Sequence, residues 1–216
     1  MRSKPGTARF SQRRRLAIVL TLNLALIGGL VTVGITARSV GVLAAAGDTV
    51  ADSVALALGL IAVVLRDRDP VHPRANRPVA TVALINATIL IAVTVGVVIA
   101  AIGRLRDGSP AVLGLPMAVV SLITLALMIA GALVLGRSAH HEDIHMRSVL
   151  LDTLADAAAA TGVLVAGVII WITGGLYWLD PVIALIVAAV IGYAGTRLAV
   201  QAVAALRGAD VDFDDD

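Results

Sequence analysis

Apolar residues along this 216-residue chain come in long continuous runs, separated by short polar or proline-bearing gaps. A helix needs about 20 mostly apolar residues to cross a bilayer. Six windows meet that length: residues 16–37, 40–65, 79–103, 112–136, 148–173 and 178–206. The runs do not alternate at period two, so helices are predicted and a transmembrane barrel is not. The predicted fold is therefore all-α, a six-helix transmembrane bundle. The gaps carry the expected punctuation. Arg66-Asp67-Arg68-Asp69-Pro70 through Pro78 holds three prolines, Arg104 to Pro110 is a charged turn, Arg137 to Arg147 is polar, and Thr173-Gly174-Gly175 is a tight turn. No small-residue cleavage site follows the first run, so it is read as a span and not as a removable signal peptide.

Charge orients the bundle. Cytoplasmic loops carry an excess of Lys and Arg. Fourteen of the 17 basic residues fall on one side: at the N-terminus, in the second and fourth gaps, and at the end of the last window. Arg38, Arg104 and Arg106 fall on the other. Both termini are predicted to be cytoplasmic, as an even number of spans requires. The chain divides into a basic N-terminal tail (1–15), a six-span transmembrane domain (16–207) and an acidic C-terminal tail (208–216) with five Asp. Arg13-Arg14-Arg15 is read as an anchor at the anionic leaflet, and the acidic tail as a solvated end.

Composition narrows the function classes. The chain is 59% hydrophobic and 15% charged, against roughly 45–50% and about 25% in soluble domains. A soluble monomer and a disordered chain are both excluded. The absence of Cys removes a disulfide scaffold and a thiolate zinc site. A net charge of +2 and 3% aromatic residues argue against a nucleic-acid partner. The expected partner is the lipid bilayer, and the expected localisation is the bacterial inner (cytoplasmic) membrane, multi-pass.

Four carboxylates stand where they should be rare. Asp48 and Asp52 lie inside the second window, Asp152 and Asp156 inside the fifth. Each costs at least about 2.5–3.5 kcal/mol at the bilayer centre. No Lys or Arg lies within residues 40–65 or 148–173 to offset them. A bound cation or protons are the remaining means of neutralisation. Each pair is spaced i,i+4, so both members share one helix face. Two such faces in contact bring four oxygen donors to one point, a donor set suited to divalent metals. Alanines and Gly47 surround both pairs, which permits close helix approach. A network of protonated carboxyls is the alternative.

The sequence around these residues resembles the cation diffusion facilitators, which exchange divalent metals for protons. Ser39-Val-Gly-Val-Leu-Ala-Ala-Ala-Gly-Asp48-Thr-Val-Ala-Asp52 resembles the family's second-helix stretch, where His or Asp is followed four residues later by Asp. Arg147-Ser-Val-Leu-Leu-Asp152-Thr-Leu-Ala-Asp156 resembles its fifth-helix counterpart. Asn23 and Asn86 fall where the first and third helices often carry Asn, and Tyr177-Trp-Leu-Asp180-Pro181 resembles the opening of the sixth. The resemblance covers about residues 12–207, without the cytoplasmic domain that commonly follows the sixth helix. It implies a secondary active transporter and not an enzyme. Asp48, Asp52, Asp152 and Asp156 are then both the metal ligands and the proton carriers. The divalent metal is the substrate, and no organic cofactor is implied. A homodimer is the assembly usual in the family.

Zinc-transporting members usually place His at one or both of the first ligand positions. Here both are Asp, which resembles the manganese-type branch. Carboxylates also suit Mn²⁺, whereas imidazole suits Zn²⁺. Mn²⁺ is the favoured substrate, with Zn²⁺, Fe²⁺ and Co²⁺ as further candidates. The alternatives are a non-transporting scaffold or receptor, or a proton-dependent transporter of another solute. A scaffold does not need four acidic residues in register. An organic-cation site normally offers an aromatic box, and six aromatic residues, mostly near helix ends, do not supply one.

Loop residues supply secondary candidates. Asp69 and His72 resemble part of an auxiliary metal site in the family's second loop, with Asn76 where a second His is expected. His140, His141 and His145, with Glu142 and Asp143, form a cluster suited to metal capture. Both segments also read as plain polar loops. Asp180 is expected to complement the dipole of its own helix. Trp171, Tyr177 and Trp178 are expected to mark the membrane interface.

Overall fold

A computed structural model describes the backbone of residues 5–68, 76–136 and 144–207, and the side chains of 21–54, 57, 80–130 and 154–207. Six helices and no strand occur among the described residues. They are α1 (Pro5–Thr36), α2 (Val40–Arg68), α3 (Asn76–Arg106), α4 (Gly114–Gly136), α5 (Ile144–Thr173) and α6 (Leu179–Leu206). Each predicted window coincides with one helix. The main difference is at the start, where α1 begins at Pro5 and the helix runs back through Arg13-Arg14-Arg15. Ala80–Arg106, Leu154–Thr173 and Leu179–Leu206 are each long and apolar enough to cross a membrane, and Thr21–Thr36 and Gly114–Ala130 are shorter apolar stretches.

The helix limits follow from local chemistry. Pro78, Pro116 and Pro181 sit in the first turns of α3, α4 and α6, where the missing amide has no intrahelical acceptor to lose. Helix α3 ends in a left-handed Gly108 (φ +89°), with the Ser109 amide returning to the Arg104 carbonyl at 2.7 Å. Helix α5 ends likewise at Gly174 (φ +60°), whose amide reaches the Ile170 carbonyl at 2.9 Å. Hydroxyls inside the apolar helices satisfy themselves locally. Thr49, Thr88, Thr124 and Thr196 each donate to the carbonyl four residues back, as a medium without water demands.

Packing divides the helices unevenly. Helix α3 lies most extensively on α6, and α4 on α5, while α2 touches α1, α3, α5 and α6. Without a hydrophobic force between helices in lipid, close approach at small residues is what holds such seams. A β-carbon on Gly114 would stand 2.5 Å from the Trp171 amide nitrogen, and one on Gly167 2.8 Å from that of Ala118. Gly192 similarly meets Thr94, and Gly195 meets Leu90, in the α3–α6 seam. A β-carbon on Gly28 or Gly29 would meet nothing within 4 Å among the described residues. Large apolar side chains such as Ile99, Ile172 and Val200 point outward, as lipid-facing positions do.

Candidate metal centre

Helix α2 carries Asp48 and Asp52, and α5 carries Asp156. One carboxylate oxygen from each of the three lies within 4.8 Å of the others. Metal–oxygen bonds of about 2.0–2.6 Å put two ligand oxygens no more than about 4–5 Å apart across an ion. The three carboxylates thus stand at the separation that a single divalent cation spans. Asp48 and Asp156 are half-buried and Asp52 is exposed. Small residues line the helices that hold them: Ala44, Ala46 and Ala51 are buried on α2 and Ala160 on α5, while Gly47 lies against Val93 of α3.

The two helices run antiparallel. Gly41 sits beside Val163, and Asp48 and Asp52 beside Asp156. That register carries the next turn of α5, with Asp152, toward the Asp52 end. The side chain of Asp152 lies outside the described residues, as does that of His145 in the first turn of α5. Asp69, His72, His140 and His141 fall outside the described residues altogether.

Polar residues link α1 to α2 next to Asp52. Asn23 of α1 donates from Nδ2 to Ser53 Oγ at 3.0 Å, and Ser53 in turn donates to the Thr49 carbonyl at 2.8 Å. This ties α1 to the turn of α2 that bears Asp52. Asn86 of α3 is buried, and its Oδ1 has no hydrogen-bond partner among the described residues.

Asp180 occupies the first turn of α6, as expected, and its carboxylate serves another helix as well. Asp180 is fully buried. It accepts the Ser39 hydroxyl at 2.5 Å, the Val40 amide at 2.8 Å and the Gly41 amide at 3.1 Å. These are the orphan donors at the start of α2. Ser39 completes the cap by accepting the Val42 amide at 3.0 Å. Arg104 of α3 stands with Nη1 3.5 Å from Asp180 Oδ2 and also donates to the Arg38 carbonyl. Arg38 itself closes α1 in a left-handed conformation (φ +56°), its amide bonded to the Ile35 carbonyl and that of Ser39 to Gly34. Arg104 reads in sequence as a loop cation; in three dimensions it joins α3 to the α1–α2 turn. Ser39 ahead of an apolar run was a legible cap signal, but nothing local in sequence pairs it with residues 65 and 141 positions away.

Aromatic residues gather at this same end. Trp171 and Trp178 are exposed, while Tyr177 packs on the core and donates its hydroxyl to the Gly174 carbonyl at 2.9 Å. Such placement suits the membrane interface.

Comparison with known proteins adds an independent finding. A family model described as the cation efflux transmembrane domain matches residues 16–207. The zinc transporter ZitB of Pectobacterium atrosepticum is 30% identical over 164 residues, covering 73% of this chain and 50% of that protein. ZitB of Escherichia coli is 29% identical over 187 residues, covering 84% and 58%. A cadmium, cobalt and zinc/H⁺–K⁺ antiporter of Bacillus subtilis is 28% identical over 179 residues, covering 79% and 55%. The chain spans about half the length of the curated relatives it matches.

Proposed function

The chain belongs to the cation efflux family, and on that premise we propose that it exports divalent transition-metal ions from the cytoplasm in exchange for protons. The metal is bound by Asp48, Asp52, Asp152 and Asp156. The observation that carries this reading is the convergence of Asp48, Asp52 and Asp156 within 4.8 Å on two separate helices. Three carboxylates so close in an apolar bundle repel one another unless a cation or protons intervene. Both neutralisers use the same oxygens, and that competition is the coupling. Metal binding expels protons; protons arriving from outside displace the metal. Neutralising the cluster lowers the cost of moving it through the bundle. The helices then open the site alternately to either side, with both termini in the cytoplasm and the exposed Asp52 facing the cytoplasmic approach.

Mn²⁺ is the favoured substrate on donor chemistry. The carboxylates bring oxygen and no imidazole, a set that suits Mn²⁺ better than nitrogen-rich sites do. The relatives named as zinc, cadmium and cobalt transporters keep Zn²⁺ and Co²⁺ as competing substrates. The protein resides in the cytoplasmic membrane and works as a homodimer. Purified protein in proteoliposomes with an internal pH dye tests the proposal. Metal-stimulated proton flux is expected, greatest with Mn²⁺, when Mn²⁺, Zn²⁺, Fe²⁺ and Co²⁺ are supplied in turn. Flux that ignores all four metals would point to the scaffold or to another solute.

A further inference from the structure

The Asp180 cluster reaches beyond helix capping. It lies at the end of the bundle remote from the two termini, where α1 turns into α2. It fastens that turn to α6 through Asp180 and to α3 through Arg104. The same α2 carries Asp48 and Asp52 farther along. At this end, Gly41 of α2 is wedged between α5 and α6: a β-carbon there would stand 3.6 Å from Val163 Cγ2 and 3.1 Å from Asp180 Oδ1. Asp180 is wholly buried, whereas Asp52, on the other side of the centre, is exposed. The first turn of α2 is therefore pinned by buried polar contacts, whereas Asp52, farther along the helix, is exposed.

We propose that Asp180 and Arg104 form a lock that holds α2 against α5 and α6 and closes the metal centre to the outside. The lock must part in each cycle when the site turns outward. Three features favour this over a purely structural cap. Ala45, Asp48 and Asp52 follow Gly41 along one stripe of α2, so the clamped turn and the metal ligands move as one rigid rod. The pair α3–α6 is packed along its length, with glycines of α6 against Thr94 and Leu90 of α3, so it forms a firm base on which both lock residues sit. The attachment at this junction is polar and concentrated, the kind of contact that breaks in a two-state manner. Asp180 and Arg104 are thus positioning residues, acting on the ligands through α2.

The inference rests on the transport reading above, and its test is chosen to fail separately from it. The chain has no Cys, so Ala45→Cys places a single reporter one turn above Asp48. Labelling by a membrane-impermeant maleimide, added outside intact cells with no added metal, reads how often the site opens outward. Slow labelling is expected in the Ala45→Cys protein. Adding Arg104→Gln should raise its rate about tenfold, as loss of one modest interaction shifts a two-state ratio. Adding Arg104→Lys, which keeps the charge, should restore the slow rate, with all variants matched for amount of folded protein in the membrane. Asp180→Asn should raise outside labelling at least as much, and Arg104→Gln stands alone as the test if that variant fails to fold. Equal outside labelling with and without Arg104→Gln would overturn the lock. Labelling that responds to Arg104→Gln while metal-driven proton flux is absent would instead sustain the lock and remove the transport reading.

Discussion

Two groups of carboxylates in this bundle share a chemistry and differ in how it is completed. Asp180 is sealed at one end, with a hydroxyl, two amides and a guanidinium directed at it by two other segments. Asp48, Asp52 and Asp156 converge from two helices, one oxygen of each within 4.8 Å of the others, with Asp52 exposed. The first arrangement gathers donors around a single carboxylate. The second juxtaposes like charges, which costs free energy and suits a partner that comes and goes. A buried carboxylate supplied with strong donors holds helices together, whereas the converging carboxylates are the ones proposed to exchange metal for protons.

Substitutions that separate the two groups should do so in a definite order. The largest effect is expected for Asp156→Ala or Asp52→Ala, which should abolish metal-dependent proton flux in proteoliposomes. Folding should survive both, as a symmetric size-exclusion peak would show. Asp180→Asn should reverse the pattern. Removing one partner of a buried pair costs about 3–5 kcal/mol, so its unfolding temperature in detergent should fall well below that of the parent. Asp52→Asn should instead leave that temperature unchanged or higher, because it relieves repulsion at a functional site. If Asp52→Asn destabilised as much as Asp180→Asn, the contrast between the groups would collapse.

Two smaller effects sharpen the picture. Gly114→Ala drives a methyl into the backbone of Trp171 and Gly167. Neither can step aside, so a loss of about 1–3 kcal/mol is expected in thermal unfolding. Metal affinity should weaken with it, because α5 carries Asp156. Asn23→Ala removes the hydrogen bond to Ser53. Interhelical bonds of this kind average about 0.6 kcal/mol, so stability should barely move, while turnover should fall more than stability if α1 steadies the Asp52 turn.

The unequal legibility of the sequence has a physical basis. The helices were readable because continuous apolar runs and first-turn prolines are local signals, and each window coincides with a helix to within a few residues except at Pro5. The convergence of Asp48, Asp52 and Asp156 was legible because an ionised group in hydrocarbon is costly enough to demand a reason, and i,i+4 spacing puts Asp48 and Asp52 on one face. What Asp180 does was not readable. Its position at the start of α6 pointed to its own helix dipole, and only the fold brings it to Ser39, Val40 and Gly41, about 140 residues away. The close approach at Gly114 and Gly167 was not legible, since a glycine announces freedom to approach but not the neighbour that uses it. Asn23 was singled out by resemblance alone, and its link to Ser53 needed α1 and α2 side by side.

The central claim is that the converging aspartates take up one divalent ion at the expense of protons. Calorimetric titration of the purified protein with Mn²⁺, in two buffers of different ionisation enthalpy, tests it directly. One ion bound per chain is expected, with protons released on binding and both signals lost in Asp156→Ala. Undiminished Mn²⁺ binding in that variant, or binding with no release of protons, would contradict it.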